Sequence, residues 1–104
     1  MKYIAVVRGQ LKAATQAELQ RVHDAILEQL PTIGRPLGAI GHQAYLDLQD
    51  PTAFLAIDTW TSLEGLQKFM SDPKVAAAFG DLFEGQPDVR VWSESGWSSF
   101  SDEA

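Results

Sequence analysis

Residues 2–11 carry apolar side chains on both sides of an extended backbone. One side would hold Tyr3, Ala5 and Val7, and the other Ile4 and Val6. A strand that is apolar on both sides is one that other layers cover on both sides. The pattern therefore predicts a buried strand and not a signal peptide, because charged Arg8 follows at once and no long apolar region develops.

A helix is predicted next. Thr15 and Glu18 have the spacing of a capping box, in which the hydroxyl and the carboxylate satisfy free amides at a helix start. The apolar positions then recur every three or four residues, at Leu19, Val22, Ile26, Leu27 and Leu30. Pro31 is expected to end this helix, and residues 31–38, with two prolines and two glycines, favour a loop.

Two strands joined as a hairpin are predicted in the middle of the chain. Residues 39–48 place Ile40, His42, Ala44 and Leu46 on one side and Gly41, Gln43 and Tyr45 on the other. Asp50 and Pro51 supply a turn. Residues 53–60 are rich in strand formers and are apolar on both faces until Asp58.

The last part of the chain predicts two short helices, a strand and a tail. A second capping box, from Thr61 to Glu64, opens one helix, and Asp72 with Pro73 opens the other. Residues 85–88 favour a turn before a fourth strand over 89–94.

This order of elements, strand, helix, strand, strand, helix, strand, is that of a split βαβ unit. We therefore expect an α+β, ferredoxin-like domain over residues 1–94, with helices on one face of a four-stranded antiparallel sheet. The first and third strands would leave their other face apolar and exposed, so we expect a homodimer that buries it. Residues 95–104 form a polar tail in which Trp97 and Phe100 suggest docking on the partner subunit.

The composition and charge of the chain exclude several classes of function. With 104 residues and 45% hydrophobic positions, the chain has room for one core. No apolar run reaches the roughly 20 residues that span a bilayer, so no membrane association is expected. The net charge of -6 disfavours nucleic acid as a partner. The chain has no cysteine, which fits a reducing compartment, and we expect a cytoplasmic protein.

Residues 50–66 and 71–75 resemble the dimeric α/β-barrel superfamily, and within it the antibiotic-biosynthesis-monooxygenase-like domains. The first stretch is similar to that family's turn, strand, Trp, Ser and Glu pattern entering the second helix, and the resemblance extends from about Lys2 to Glu94. The family includes cofactor-independent oxygenases of polyketide quinols, quinol monooxygenases, polyketide cyclases, haem-degrading enzymes and proteins without known activity.

Departures from the family pattern concern its histidines. Phe69 stands where many members have a His, and Lys74 stands at a second position, after the proline, that is polar or His in the family. Haem-degrading relatives use an Asn, a Trp and an axial His at the positions of Val7, Phe69 and Phe79. A phenylalanine cannot ligate iron, so the comparison implies no haem, and we expect no cofactor.

His42 and Asp58 are the candidate catalytic residues. A neutral His42 can accept a proton from a bound phenol, although a hydrogen-bonded core histidine has the same pattern. Asp58 becomes a base if it is buried, but near a strand end it can also be solvated or bonded to a helix amide. His23, at the edge of the helix stripe, is expected to face solvent. Two histidines without matching carboxylates predict no metal site.

Five residues are candidates for binding an apolar or aromatic ligand. Trp60, Phe69 and Phe79 could wall a flat cavity, or they could simply pack the core. Tyr45 and Arg8 could orient a phenolate or carboxylate, or they could be solvated strand residues.

The resemblance implies a small-molecule enzyme, a cofactor-independent monooxygenase or a cyclase or isomerase, acting on an aromatic or polyketide-like ligand. Loss of the family histidine leaves an alternative, a non-catalytic dimeric binding or stress-response module for an apolar metabolite. A third hypothesis is a structural subunit whose role is assembly. Such a subunit would form higher-order assemblies and would have no cavity that a ligand can enter.

Overall fold

The chain opens with strand β1 (Tyr3–Leu11) and helix α1 (Gln16–Leu37) in the computed structural model, which describes residues 1–102. The predicted capping box is confirmed. The Thr15 hydroxyl accepts from the Glu18 amide at 3.1 Å, and the Glu18 carboxylate accepts from the Thr15 amide at 3.3 Å. Within the described residues, no helix is long and apolar enough to cross a membrane.

Helix α1 runs past the point where it was expected to end. It contains both Pro31 and Pro36, so the loop predicted for residues 31–38 is wrong. Each proline removes a backbone hydrogen bond, but tertiary packing of the last turns outweighs that loss. Gly34 is buried there, where a β carbon would lie 3.4 Å from the Phe69 ring. The helix ends at Gly38, which has the left-handed φ of 112° that favours glycine and whose amide donates to the Arg35 carbonyl.

The predicted hairpin of β2 (Ala39–Leu46) and β3 (Ala53–Trp60) is confirmed. β2 ends two residues before the expected boundary at residue 48. The reason is a turn made by Asp47, whose carboxylate accepts from the amides of Gln49 and Asp50 at 2.8 and 3.1 Å.

Helices α2 (Leu63–Met70) and α3 (Pro73–Leu82) follow. The capping box predicted at Thr61 is wrong by one residue. Ser62 caps α2 by accepting from the Gly65 amide at 3.0 Å, while the Thr61 hydroxyl donates to the Gly38 carbonyl. The start of α3 is as predicted, since the Asp72 carboxylate accepts from the Lys74 amide at 2.8 Å.

Strand β4 (Phe83–Ser93) begins directly after α3, so the turn predicted for residues 85–88 is wrong. Its pairing with β1 shifts between Arg8 and Gln10, which marks a bulge. Gly85 has a φ of 74° in this bulge. The turn-forming residues therefore serve an irregular strand, which an edge strand tolerates.

The four strands form one antiparallel sheet in the order β2-β3-β1-β4, which confirms the predicted α+β, ferredoxin-like fold. The core lies between one face of this sheet and the helices, where Val7 and Phe54 pack with Leu19 and Leu82. Its buried members include Trp60 at 2% exposure.

The other sheet face is apolar, and no layer formed by residues 1–102 covers it. Its central side chains are only partly buried, and two aromatic residues at its margins, Tyr45 and Trp92, are 50% and 53% exposed. The central residues are Ile4, Val6, Leu55 and Ile57. The predicted apolar face is therefore present.

The tail after residue 94 has no regular secondary structure in its described part. Trp97 and Phe100 are 85% and 90% exposed in the single chain. Residues 103 and 104 of the predicted tail lie outside the described residues. Docking of the tail on a partner stays a prediction.

Candidate functional site

A cavity of about 510 Å³ lies between α1 and the sheet, and α2 and α3 contribute further parts of its wall. Most of its wall is apolar. The aromatic part consists of Phe54, Trp60, Phe69, Phe79 and Phe83. Three residues predicted to contact a ligand, Trp60, Phe69 and Phe79, therefore do line one cavity. The Trp60 and Phe69 rings lie 5.1 Å apart, in a tilted arrangement that makes one continuous aromatic surface.

Tyr45 and Arg8 do not line this cavity. Both pair in register with Leu55, on strands either side of β3, so all three side chains share the face opposite the helices. Arg8 lies instead 3.9 Å from the carboxylate of exposed Asp88. Side chains alternate between the two faces of a sheet, so Tyr45 and Arg8 lie on the face away from the cavity that His42 lines. Their role in orienting a ligand stays a prediction.

His42 and Asp58 meet across the β2–β3 ladder. They are register partners, and His42 Nδ1 lies 2.5 Å from Asp58 Oδ1. The side chains are 26% and 24% exposed, and both line the cavity. The carboxylate accepts a hydrogen bond from Nδ1–H, which directs the other ring nitrogen, Nε2, away from the sheet and toward α1.

His23, on α1, adds a second imidazole to the polar part of the wall. Its Nε2 lies 2.9 Å from Nε2 of His42, and its Nδ1 lies 3.0 Å from Asp24 Oδ1. The ring centroids of the two histidines are 5.1 Å apart, so the rings meet through their Nε2 edges and not face to face. The His23 side chain is only 19% exposed. The expectation that it faces solvent is wrong, because α1 lies over β2 and turns this position inward.

A linear chain of four ionisable groups results, running from Asp58 through His42 and His23 to Asp24. Asp24 is 60% exposed, so the chain extends from the cavity wall to solvent. The groups follow one another in a line and do not converge on a point. Accordingly, no three His, Asp or Glu side chains among residues 1–102 are placed to hold a metal ion.

Arg35 also lines the cavity and was not predicted as a site residue. It lies in the last turn of α1, in the segment expected to be a loop. Because α1 continues past Pro31, the helical spacing of three or four residues places Arg35 on the same side of the helix as the other cavity-lining positions of α1, which include 23, 27, 30, 31 and 34. The helical spacing that marks Arg35 is present in the sequence, but it can be recognised only if the helix is taken to continue through Pro31.

No protein-family model matches this sequence, and neither does any curated protein. Solved structures do match. SnoaB, a cofactor-independent oxygenase from Streptomyces nogalater, is 14% identical with a TM-score of 0.68, and the match covers 98% of each chain. An antibiotic biosynthesis monooxygenase is 11% identical with a TM-score of 0.65 over 88% of this chain and 97% of that one. This chain has an antibiotic-biosynthesis-monooxygenase-like fold.

A conserved protein from Methanosarcina mazei shares the same fold, with 12% identity and a TM-score of 0.71 over 91% of this chain and 94% of that one. At such identities the likeness is one of architecture. In this antibiotic-biosynthesis-monooxygenase-like fold, the site's polar groups come from three elements: α1, β2 and β3. What the site can do follows from those groups themselves.

Proposed function

We propose that this protein is a small-molecule enzyme, a cofactor-independent monooxygenase acting on an aromatic or polyketide-like ligand. The observation that carries this proposal is an apolar cavity of about 510 Å³ with one hydrogen-bonded chain of ionisable groups in its wall. That volume suits a drug-sized ligand. The aromatic walls suit a flat ring system, and the polar chain provides a place for a hydroxyl group.

The chemistry starts with a phenol whose hydroxyl proton passes to His42. Asp58 keeps the Nδ1 hydrogen in place, so Nε2 is the nitrogen that accepts. The resulting electron-rich anion transfers electrons to O₂ and forms a C–O bond. One oxygen atom stays in the quinone product and the other leaves as water, so a ring C–H and the hydroxyl O–H supply the two hydrogens. The protein contributes orientation, a proton acceptor and exclusion of solvent.

Oxygen uptake with a panel of electron-rich naphthols and quinols tests this proposal. We expect His42→Gln and Asp58→Asn to lower uptake on an active compound by about 100-fold or more, which is the usual contribution of a positioned general base. Asp81→Asn, an exposed carboxylate on α3, serves as the control and should leave uptake unchanged. Full activity in both site variants would refute the assignment. Product formation without oxygen uptake would instead indicate a cyclase or isomerase.

A non-catalytic binding module is the second candidate, and one observation favours it. Both ring nitrogens of His42 are already engaged, by Asp58 and by His23, so no free nitrogen faces a ligand until one contact opens. Under this alternative, naphthols raise the melting temperature of the protein, but neither oxygen uptake nor product follows.

We also propose that two copies of the chain pair through their open sheet faces. Partly exposed Ile4, Val6, Leu55 and Ile57, with Tyr45 and Trp92, make an apolar surface that a monomer would leave in water. We expect the tail to extend this interface, because Trp97 and Phe100 are large apolar side chains exposed in the single chain. A cytoplasmic location remains part of the proposal.

Native mass spectrometry with the variant Ile57→Glu tests the pairing. A carboxylate at the centre of an apolar interface is desolvated without a partner, so we expect a dimer for the unaltered protein and a monomer for the variant. Glu64→Gln, an exposed change on α2, is the control. A monomeric unaltered protein would contradict the proposal.

A further inference from the structure

The protons on the two histidines can be counted from their contacts. Asp24 and Asp58, when ionised, only accept hydrogen bonds, so Nδ1 of each histidine must carry a hydrogen to donate. The contact between the two Nε2 atoms at 2.9 Å needs one hydrogen more. Three hydrogens on two imidazoles make one ring neutral and the other an imidazolium. When all three contacts are hydrogen bonds at once, the pair therefore holds one positive charge between two carboxylates.

Because one Nε2 donates and the other accepts, a hydroxyl group can replace their direct contact. The protonated Nε2 donates to the hydroxyl oxygen, and the hydroxyl donates to the unprotonated Nε2. Two such bonds of about 2.8 Å require the nitrogens to move from 2.9 Å to roughly 4.5 Å apart. Both rings form part of the cavity wall, so a hydroxyl in the cavity can reach the gap.

We infer that His23 and His42 form a two-histidine clamp for the single acidic hydroxyl of a phenol or enol, which they bind as its anion. This inference rests on the proposed function and adds His23 as a second catalytic residue. Transfer of the hydroxyl proton to the neutral Nε2 leaves the oxygen anion between two imidazoliums. The O–H bond breaks, an N–H bond forms, and each imidazolium keeps a carboxylate behind it.

Net charge does not oppose this exchange. Before transfer the site holds one positive and two negative charges, and afterwards two positive and three negative, so its net charge does not change and no ion need enter from solvent. The remaining charged side chain in the described cavity wall is Arg35, which also favours a mono-anionic ligand. The wall residues from α2 and α3 are all apolar: Leu66, Phe69, Met70, Ala78, Phe79 and Leu82.

Asp24 is a positioning residue, since it acts on the ligand only through His23. Its carboxylate holds the Nδ1 hydrogen of His23 and so directs Nε2 toward His42. An uncharged amide at this position stabilises the imidazolium less than the carboxylate does. Loss of the Asp24 carboxylate should therefore weaken ionisation of a bound phenol without removing the cavity.

4-Nitrophenol is a suitable probe, because its anion absorbs visible light and its neutral form does not. We expect the ratio of ionised to neutral probe to be at least about tenfold higher when bound than when free at the same pH, the equivalent of one pKa unit. His23→Gln and His42→Gln should each return the ratio to that of the free probe. Asp24→Asn should give an intermediate ratio, and the control Asp81→Asn should give the unaltered one.

Nitrogen NMR of histidine-labelled protein gives a second test that needs no variant and no turnover. Ligand-free protein at neutral pH should show three protonated ring nitrogens, and protein saturated with 4-nitrophenol should show four. Failure of the probe to bind, an unshifted ionisation ratio, or two protonated nitrogens in the free protein would overturn the clamp. Oxygen uptake decides the proposed function separately, because uptake that survives His23→Gln would leave a monooxygenase without the clamp.

Discussion

Gly65, the third residue of α2, lies against the end of α1 at a distance that leaves no room for a methyl group. A β carbon at this position would lie 1.7 Å from the carbonyl oxygen of Leu37 and 2.8 Å from its carbonyl carbon. The atoms in the way belong to backbone and cannot rotate aside. Gly65→Ala therefore forces the two helices apart by roughly 1.5 Å to restore ordinary contact.

The change in the free energy of unfolding caused by Gly65→Ala follows from two opposing effects. Alanine in place of glycine within a helix stabilises it by about 1 kcal/mol. Overpacking a close contact costs about 1–3 kcal/mol and occasionally more, and a contact with rigid backbone belongs at the upper end. We expect a net loss of about 2 kcal/mol in the free energy of unfolding. In a domain of this size that corresponds to a melting temperature lower by about 8–16 °C.

Gly80, in α3, is a matched control because a β carbon there would meet no atom within 4 Å. Gly80→Ala adds only the higher helix propensity of alanine and creates no clash, so we expect the free energy of unfolding to rise by about 0.5–1 kcal/mol. Urea unfolding followed by circular dichroism measures both variants. Leu66 and Phe69 follow Gly65 into the cavity wall, so Gly65→Ala should also weaken binding of 4-nitrophenol. Equal stability of the two alanine variants would refute the close approach of α1 and α2.

Three further predictions concern single side chains. Thr15→Ala removes the cap of α1 and should cost about 1 kcal/mol in urea unfolding, whereas Thr15→Ser should retain it. Leu66→Ala, at a position 1% exposed, should cost about 2–5 kcal/mol in the same assay. The Thr52 hydroxyl and then the Thr52 amide hold the pKa of Asp50 below its usual range. The stability that this lowered pKa contributes is present above the unfolded pKa of Asp50 and is lost as the pH falls through the folded pKa. Thr52→Val removes the hydroxyl, so it should raise the folded pKa of Asp50 in an NMR titration. An unchanged titration would contradict this prediction.

Elements whose signals are local could be predicted from the sequence. The caps at Thr15 and Asp72 depend on side chains within three residues of the amides they satisfy, and both are as expected. The extent of β3, 53–60, follows from a run of strand formers bounded by turns. The ferredoxin-like fold then follows from the order of such elements, because few topologies accommodate it.

Elements whose extent depends on tertiary contacts could not be predicted in this way. Pro31 ends a helix by local rules, but α1 continues because Gly34 and Leu37 pack against α2. Residues 85–88 have turn chemistry, but pairing with β1 draws them into a bulged strand. In both cases a local preference of a few kcal/mol competes with packing that the local sequence does not contain.

The candidate site shows the same division. His42 and Asp58 could be singled out, since a polar residue within an apolar strand is conspicuous, but their pairing needed the β2–β3 register. His23 could not be singled out, because its position at the edge of an apolar stripe faces solvent or sheet according to where α1 crosses β2. That crossing brings together two residues 19 positions apart and occupies both nitrogens of each ring. The proton count of the pair, and with it the acidity of the hydroxyl it would accept, is thus a property of the helix–sheet packing and not of either histidine alone.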